Sequence, residues 1–276
     1  MHPAIPHLAR LFRPAALALL FVMSAGNAFA GEGGLLPDDW QLTGTLGLTN
    51  TNGDYGTPQN TNVLLGLSTL SLSDDNLKFS ASIPYMRISG RGLVVFDASG
   101  NPIVINRRTT IPPDVRTGWG DLNLGASYTI PESILDGFEV RIGGVVKAPT
   151  GSARKRLSTG EADFGGSIDV SRQFGLWTPF VTLGYLDHGQ PAGFSLNNTT
   201  SVSAGTSLEL SDNLVAVVSY DYDSADAPMV TAGQEVFGSL SWVRDDRITL
   251  TGYGTLGLTS GSPDVGLGFL ISYGVY

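Results

Sequence analysis

Asp221, Asp223 and Asp226 stand close together in a stretch that is otherwise poor in charge. Carboxylates at this density could supply hard oxygen ligands to a divalent cation such as calcium. Their spacing does not match the calcium-binding loop of an EF-hand. We therefore expect a solvated acidic loop here, and the sequence predicts no metal site.

His188 is the only histidine beyond residue 30, and it directly follows Asp187. A carboxylate can orient an imidazole as a general base, which is the chemistry of a hydrolase. No serine follows at close range on the same strand to act as the nucleophile. We expect an ordinary polar residue at a strand end, and the chain is predicted not to be an enzyme.

The stretch from Gly252 to Gly257 matches the glycine spacing of a dinucleotide-binding fingerprint. That fingerprint works only where its glycines close a turn from a strand into a helix. Here they lie within an alternating strand pattern, where glycine relieves crowding or allows a bend. No cofactor is predicted.

Most other charged residues that could take part in binding or catalysis fall on the polar side of alternating segments. The clearest alternation runs over residues 201–209, where Val202, Ala204, Thr206 and Leu208 alternate with smaller or more polar residues. A period of two places one set on each face of a strand. About twelve such segments of roughly ten residues, joined by turns and loops, are typical of a transmembrane β-barrel.

The first 30 residues have the features of a secretory signal peptide. Arg10 and Arg13 precede an apolar run, and Ala28-Phe29-Ala30 offers small residues for cleavage after Ala30. The run is about half the roughly 20 residues that a membrane-spanning helix needs. We expect export through the Sec pathway, followed by insertion of residues 31–276 into the bacterial outer membrane by the barrel-assembly machinery.

Composition restricts the remaining possibilities. The chain has 16 Lys and Arg residues against 25 Asp and Glu residues, so nucleic acid is not an expected partner. It has no cysteine, which excludes disulfides and cysteine-based sites. The 36 glycines favour many strands with turns, although a soluble sandwich fits the composition too.

Short and long connections alternate along the predicted strands. Asp- and Asn-rich turns such as residues 73–76 are short, whereas residues 88–117 form a long outer loop. In outer-membrane barrels the short turns face the periplasm, and an even strand number leaves both termini there. Aromatic residues fall at both strand ends, as the two membrane interfaces require: Trp40, Tyr128, Phe138, Trp242 and Tyr273 at one end, and Tyr85, Tyr185, Tyr220 and Tyr222 at the other.

The predicted lumen has a charged half and a half with mainly hydroxyl groups and glycine. The charged positions belong to the third to sixth strands: Lys78, Asp121, Glu139, Arg141, Lys147, Asp163 and Asp169. Opposite charges on neighbouring strands can stabilise the wall as ion pairs or can line a wet path for solute. Both interpretations remain open. An inserted loop, or residues 31–39, could fill the room beside the smaller side chains.

A second set of charged residues is basic and lies in the predicted outer loops: Arg154, Lys155 and Arg156 in one, and Arg91, Arg107, Arg108 and Arg116 in the long loop. Arginine and lysine bind phosphate groups, which lipopolysaccharide presents at the outer surface. A plain solvated loop is the alternative. Outer-membrane lipid and lipopolysaccharide are the partners that this cluster predicts.

Several short segments resemble the outer-membrane barrel family named for the MetA pathway of phenol degradation, a putative transporter family that includes the functional-amyloid exporter barrel. They are Ile83-Pro84-Tyr85, Gly118-Trp119-Gly120-Asp121-Leu122, Lys147-Ala148-Pro149-Thr150-Gly151, and Leu157-Ser158-Thr159-Gly160 leading to Asp163. The resemblance implies a twelve-stranded antiparallel up-and-down channel whose cargo varies among members. The chain departs from the exporter because no long helical extension follows the signal.

The sequence thus predicts an outer-membrane channel that passes small solutes, hydrophobic or aromatic compounds among them, through a polar lumen. A non-conducting structural or surface-binding barrel is the first alternative. A gated exporter of polypeptide and an outer-membrane hydrolase are less favoured.

Overall fold

The computed structural model describes residues 40–55, 60–90, 94–104, 114–228 and 230–275. The predicted signal peptide, residues 31–39, Arg91, Arg107 and Arg108 lie outside these ranges. The described ranges contain fifteen strands: β1 Gln41–Gly53, β2 Thr61–Ser73, β3 Leu77–Gly90, β4 Val94–Phe96, β5 Pro102–Val104, β6 Asp114–Trp119, β7 Leu122–Ile130, β8 Phe138–Ala148, β9 Asp163–Arg172, β10 Trp177–Asp187, β11 Thr199–Ser211, β12 Leu214–Asp223, β13 Gly233–Val243, β14 Ile248–Gly257 and β15 Val265–Gly274.

Thirteen of these strands form one antiparallel sheet that closes on itself. Each strand pairs with its neighbours along the chain, and the last strand, β15, pairs with β1. Strands β6 and β7 both pair with β3 and together occupy one position in the wall. The result is the predicted closed up-and-down barrel of twelve wall positions, while β4 and β5 pair only with each other.

The residues that alternate between polar and apolar in the sequence point alternately to the inner and outer faces of this wall. On β11, Ser203 and Ser207 are buried in the interior while Val202 is exposed on the outside. Large apolar side chains cover the exterior in the same way on every barrel strand, including Leu46, Ile142, Leu183 and Phe269. An apolar outer band on a closed antiparallel barrel is the structure of a membrane-spanning β-protein. None of the described helices is long and apolar enough to cross a membrane.

The barrel has a short-turn end and a long-loop end. At the short-turn end the Asp74 side chain accepts hydrogen bonds from the backbone of Asn76 (2.7 Å) and Leu77 (2.6 Å). Asp245 closes an equivalent turn through the backbone of Arg247 and Ile248. This local bonding is the reason that Asp and Asn predicted these turns correctly. Exposed aromatic rings lie at both ends, for example Tyr273 at the first and Tyr185 at the second.

One irregularity interrupts the wall between β6 and β7. Tyr85 lies opposite Trp119, but Ser82 lies opposite Asn123, so the β6–β7 side contains one extra residue. Pro84 has no amide hydrogen for the ladder, although its carbonyl still accepts a bond from Gly120 (2.8 Å). This bulge re-aims the chain so that Asp121 is buried in the interior.

The stretch 88–117 differs from the prediction of one long outer loop. Strand β3 continues to Gly90, and β6 already begins at Asp114. Between them, β4 and β5 form a separate hairpin, residues 94–104, which we name the plug hairpin. Its side chains are buried among those of the barrel, as described next.

Candidate functional site: a plugged lumen with a buried charge cluster

The plug hairpin is held in shape by its own turn. Asp97 begins the turn, and its side chain accepts a hydrogen bond from the Asn101 backbone at 2.8 Å. The Asp97 and Asn101 backbones also pair, and Gly100 adopts a positive φ of 85° that suits glycine. The short strands on either side are apolar, with Val94-Val95-Phe96 before the turn and Ile103 after it.

These apolar side chains reach opposite sides of the barrel interior. Phe96 packs against a cluster on β2 and β3 that includes Val63 and Ile88. Ala98, in the turn, packs against Val145 of β8 and Leu186 of β10. The hairpin therefore crosses the lumen at the long-loop end.

The loops at this end add a second layer of contacts. Val95 and Ile103 pack with Leu196 and Ala227, which belong to the loops after β10 and β12. Val94, Val95, Ala98 and Ile103 are all completely shielded from solvent. Burial on this scale places the hairpin inside the barrel at the long-loop end.

A cluster of charged groups lies in the wall beside the hairpin. Lys147 of β8 and Asp163 of β9 are directly opposite each other in the sheet, and Lys147 Nζ lies 2.7 Å from Asp163 Oδ2. Asp121, turned inward by the bulge, is 3.8 Å from the same ammonium and accepts a hydrogen bond from the Gly151 backbone at 2.8 Å. All three side chains are buried.

His188 joins this cluster, contrary to the expectation of an ordinary polar residue at a strand end, and its partner is not the Asp187 of the hydrolase alternative. Asp187 is exposed on the outside, whereas His188 is buried with its Nδ1 atom 3.7 Å from Asp163 Oδ2. Its Nε2 atom lies 2.9 Å from the Thr199 hydroxyl. Residues that follow each other on a strand point to opposite faces, so a carboxylate next to a histidine in sequence is badly placed to contact it.

Two groups next to the charge cluster have shifted pKa values. Burial raises the pKa of Asp97 to about 6, although the nearby His188 charge opposes this rise. Burial alone would lower the pKa of His188, but the Asp163 carboxylate and the charges of Asp97 and Asp226 outweigh it and raise the pKa above the ordinary value. The surrounding carboxylates thus favour the charged form of the imidazole.

The seven predicted lumen residues divide into two groups. Asp121, Lys147 and Asp163 converge at the long-loop end, as described. Lys78, Glu139, Arg141 and Asp169 lie toward the short-turn end, where Arg141 and Glu139 pair at 3.3 Å and Asp169 accepts a hydrogen bond from Thr182 at 2.6 Å. Lys78 shares the inner face of β3 with Ser80 and Ser82. Their roles in any conduction remain predictions.

The predicted basic cluster is also divided by the structure. Arg154, Lys155 and Arg156 are exposed in the loop after β8, where residues 153–155 form a 3-10 helix. Arg116, expected in the same outer cluster, is instead buried in β6 and donates a hydrogen bond to the Arg156 carbonyl at 3.1 Å. It helps to hold the basic loop instead of adding to its exposed charge.

The predicted solvated acidic loop is wrong. Asp221 is buried inside the barrel and accepts hydrogen bonds from Ser203 and Ser219. Asp223 and Asp226 line a cavity of about 110 Å³ beside the plug hairpin, together with Asp97 and Glu235. Within the described ranges no three Asp, Glu or His side chains are placed to hold a metal ion. The half of the lumen predicted to be neutral is therefore acidic at the long-loop end.

Sequence reasoning raised an inserted loop as one possibility without assigning it to residues 94–104, and it missed the acidic cavity, although weak signals for both exist. Val94, Val95, Phe96 and Ile103 form an apolar patch within a presumed solvated loop, which indicates that part of this loop is buried. Asp221 and Asp223 continue the inward phase of Val217 and Ser219 on β12. Following that phase to the strand end would have placed both carboxylates inside the barrel.

No protein-family model and no curated protein sequence matches the chain. Among solved structures, the NanC porin is similar at 11% identity, with a TM-score of 0.49 over 84% of this chain and 97% of that one. The translocator domain of the autotransporter NalP from Neisseria meningitidis is similar at 11% identity, with a TM-score of 0.48 over 87% and 89%. The toluene transporter TodX of P. putida is similar at 12% identity, with a TM-score of 0.42 over 87% and 90%. At such identities and TM-scores the likeness does not extend to function.

Proposed function

We propose that the protein is an outer-membrane channel that passes small solutes. We further propose that the plug hairpin closes this channel at the long-loop end of the barrel. The observation that carries this proposal is the hairpin itself, which is buried across a polar lumen without being part of the wall. A barrel that served only as a rigid wall would not need a separate element across its interior. An element outside the strand ladder can leave its place while the barrel stays closed.

The lumen below the hairpin has the chemistry of a polar path. Hydroxyl groups from strands all around the wall face inward and bond one another, for example Thr45 with Ser272 and Ser241 with Thr251. Such groups can exchange their mutual hydrogen bonds for bonds to water or to a polar solute at little cost. The apolar patch of β2 and β3 beneath Phe96 offers hydrophobic or aromatic solutes a place on the same path.

The proposal includes the cellular location expected from the sequence. Export uses the Sec pathway through residues 1–30, insertion uses the barrel-assembly machinery, and the short-turn end with both termini faces the periplasm. The long-loop end and the plug hairpin then face outside. A tag at each terminus and one in the loop after β8, probed by protease in whole cells, test this orientation.

Single-channel conductance in planar bilayers tests the proposed channel. We expect the refolded protein to open rarely, and a variant with residues 94–104 replaced by a flexible glycine-serine linker to show large, long-lived openings. A shift in electrophoretic mobility on heating must first confirm that both proteins are folded. Silence from both folded proteins would contradict the channel.

A second candidate function is supported by the exposed basic loop. Arg154, Lys155 and Arg156 project charge from the long-loop end, where lipopolysaccharide phosphates would lie. Replacing all three with serine is expected to weaken lipopolysaccharide binding and to leave conductance unchanged. Equal binding by the variant would exclude this role.

A further inference from the structure

The cavity beside the plug hairpin has an unusual distribution of charge. Four carboxylates line it: Asp97 from the hairpin, Asp223 from β12, Asp226 from the following loop and Glu235 from β13. No lysine, arginine or histidine is among the described residues that line the cavity. These carboxylates come from four different elements, so the fold brings them together around one space.

Two of these carboxylates have an oxygen without a hydrogen-bond partner among the described residues. Asp223 Oδ1 and Asp226 Oδ1 are shielded from solvent, and neither accepts a hydrogen bond from the part of the chain that the structure describes. A buried carboxylate oxygen that is left unpaired is costly, because it has lost its water and gained nothing in return. Both residues lie on the cavity wall, so a donor placed in the cavity is in position to supply the missing bonds.

The rest of the wall combines hydroxyl and amide side chains with a set of apolar and aromatic side chains. Val63 and Leu65 of β2 contribute on one side, Phe96 of the hairpin and Val230 on another, and Tyr253 of β14 on a third. The Tyr253 hydroxyl is already bonded to Thr49, so its ring, not its hydroxyl, is what remains for a ligand. Aromatic rings favour both apolar groups and cations in contact with their faces.

Protons are the alternative means of neutralising this site. Burial and the nearby Asp97 charge raise the pKa of Asp226 to about 6, so near neutral pH this carboxyl is close to taking up a proton. A bound cation satisfies the same demand and also supplies the missing hydrogen-bond donors. Proton and cation therefore compete for one site, which gives the experiment a second readout.

We propose that this cavity is a binding site for a small organic cation that combines an ammonium group with an apolar or aromatic body. The ammonium group donates to Asp223 and Asp226, and its body lies against Phe96, Tyr253 and the β2 side chains. As a statement about the transported solute this inference rests on the proposed channel. Binding itself is independent of conduction.

The test is isothermal titration calorimetry of the full refolded barrel with benzylamine at pH 7.5, where the amine is protonated. Benzyl alcohol, which has the same body without the charge, is the matched neutral probe. We expect saturable binding of benzylamine and at least tenfold weaker binding of benzyl alcohol. Comparable binding of the two probes would overturn the proposal, because the carboxylates would then contribute nothing.

Substitutions locate the site. Asp223→Asn with Asp226→Asn is expected to weaken benzylamine binding at least tenfold, while Asp187→Asn, at the same barrel end but on the outside, leaves it unchanged. Unaltered binding by the folded double variant would overturn the proposal. If the double variant does not fold, Glu235→Gln and the pH dependence replace it: binding must weaken from pH 7.5 to pH 5 as protons compete, and pH-independent binding contradicts the site.

These results separate this inference from the proposed channel. Binding without any conductance supports the cation site and contradicts the channel. Conductance without charge-dependent binding supports the channel and contradicts the cation site.

Discussion

At the scale of single residues, Lys147 is a buried cation whose charge is balanced by carboxylates of the barrel wall. It is buried, and it faces two carboxylates, Asp163 and Asp121, from neighbouring parts of the wall. A buried ion pair gains little over a well-packed apolar pair, but breaking it from one side leaves an uncompensated charge. Removal of one partner and replacement of both partners can therefore be distinguished by experiment.

We predict that Lys147→Met lowers the free energy of unfolding by about 3–5 kcal/mol, because Asp121 and Asp163 stay buried and lose the ammonium between them, and only the His188 imidazole still faces Asp163. Adding Asp163→Leu in the same chain is expected to restore most of the loss. Glu139→Gln, which breaks a partly exposed pair, is the control and should cost no more than about 1 kcal/mol. Urea unfolding in lipid vesicles measures all three, and full stability of the single Lys147 variant would contradict the prediction.

The docking of the plug hairpin should depend on pH. A carboxyl whose pKa is raised on docking favours the docked state while protonated, so Asp97 stabilises docking at low pH and opposes it as pH rises through about 6. The Asp97 charge is one cause of the raised pKa of His188, so the His188 imidazolium also favours docking, and this contribution is lost as the pH rises through the His188 pKa. Asp97 faces the charged groups of Lys147, Asp163, His188, Asp223 and Asp226. His188 faces those of Asp97, Asp163 and Asp226.

We therefore predict that the hairpin is released more often at pH 8 than at pH 5. Ser99→Cys, in a chain without other cysteines, should react faster with a maleimide at pH 8 relative to Ser133→Cys, an exposed control in a short turn. Asp97→Asn should reduce this difference. A rate ratio that stays constant, or that falls with rising pH, would contradict it.

At the scale of elements, the plug hairpin is the candidate for a moving part, because it lies inside the barrel wall without being one of the wall strands. The barrel strands other than β6 are joined to neighbours on both sides by ladders, whereas among the described strands β4 and β5 pair only with each other. Buried apolar contacts of this size are worth a few kcal/mol, which thermal opening can overcome. Apart from the outer edge of β6, the described wall strands offer no free edge from which the ladder could open.

A covalent link between hairpin and wall should hold the lumen closed. Ala98 and Val145 pack in one cluster, so Ala98→Cys with Val145→Cys is expected to form a disulfide under mild oxidation. We predict that oxidation suppresses channel openings and that a reducing agent restores them. Each single cysteine variant is the control. Undiminished openings with the disulfide formed would show that the hairpin is not the gate.

At the scale of the whole molecule, the exterior determines where the barrel can exist. Leu183 lies on the outer face at the middle of β10 and is 53% exposed, in a band of similar side chains. Such a surface is stable in lipid and would aggregate in water. The inner face is polar and is stable in contact with water. The closed sheet separates the two faces, so each one lies in the environment that suits it.

We predict that Leu183→Arg destabilises the folded barrel in vesicles by about 2–4 kcal/mol, as expected for a charge near the middle of the bilayer. Leu258→Arg, equally exposed but just beyond the end of β14, should cost no more than about 1 kcal/mol. Chemical denaturation in vesicles measures both. Equal effects would mean that the apolar band is not centred in the bilayer as proposed.

Much of this architecture is determined by the sequence alone. A period of two assigns each strand residue to a face, and Asp- and Asn-containing turns mark where strands reverse, so the barrel, its approximate strand limits and the inner position of Lys147 and Asp163 were all predictable. The resemblance of short segments to a phenol-degradation barrel family remains a prediction, because no family model matches.

Only the tertiary structure decides which of these residues meet. The partner of His188 is Asp163 and not its sequence neighbour Asp187, and the acids of β12, β13 and the hairpin turn share one cavity. The plug hairpin turns inward, although its place in the sequence suggested an exposed loop. Periodicity specifies a face, but register between strands and the packing of loops depend on contacts between residues far apart in the chain. A local pattern contains no information on those distances, and this is the physical reason that the site emerged only with the fold.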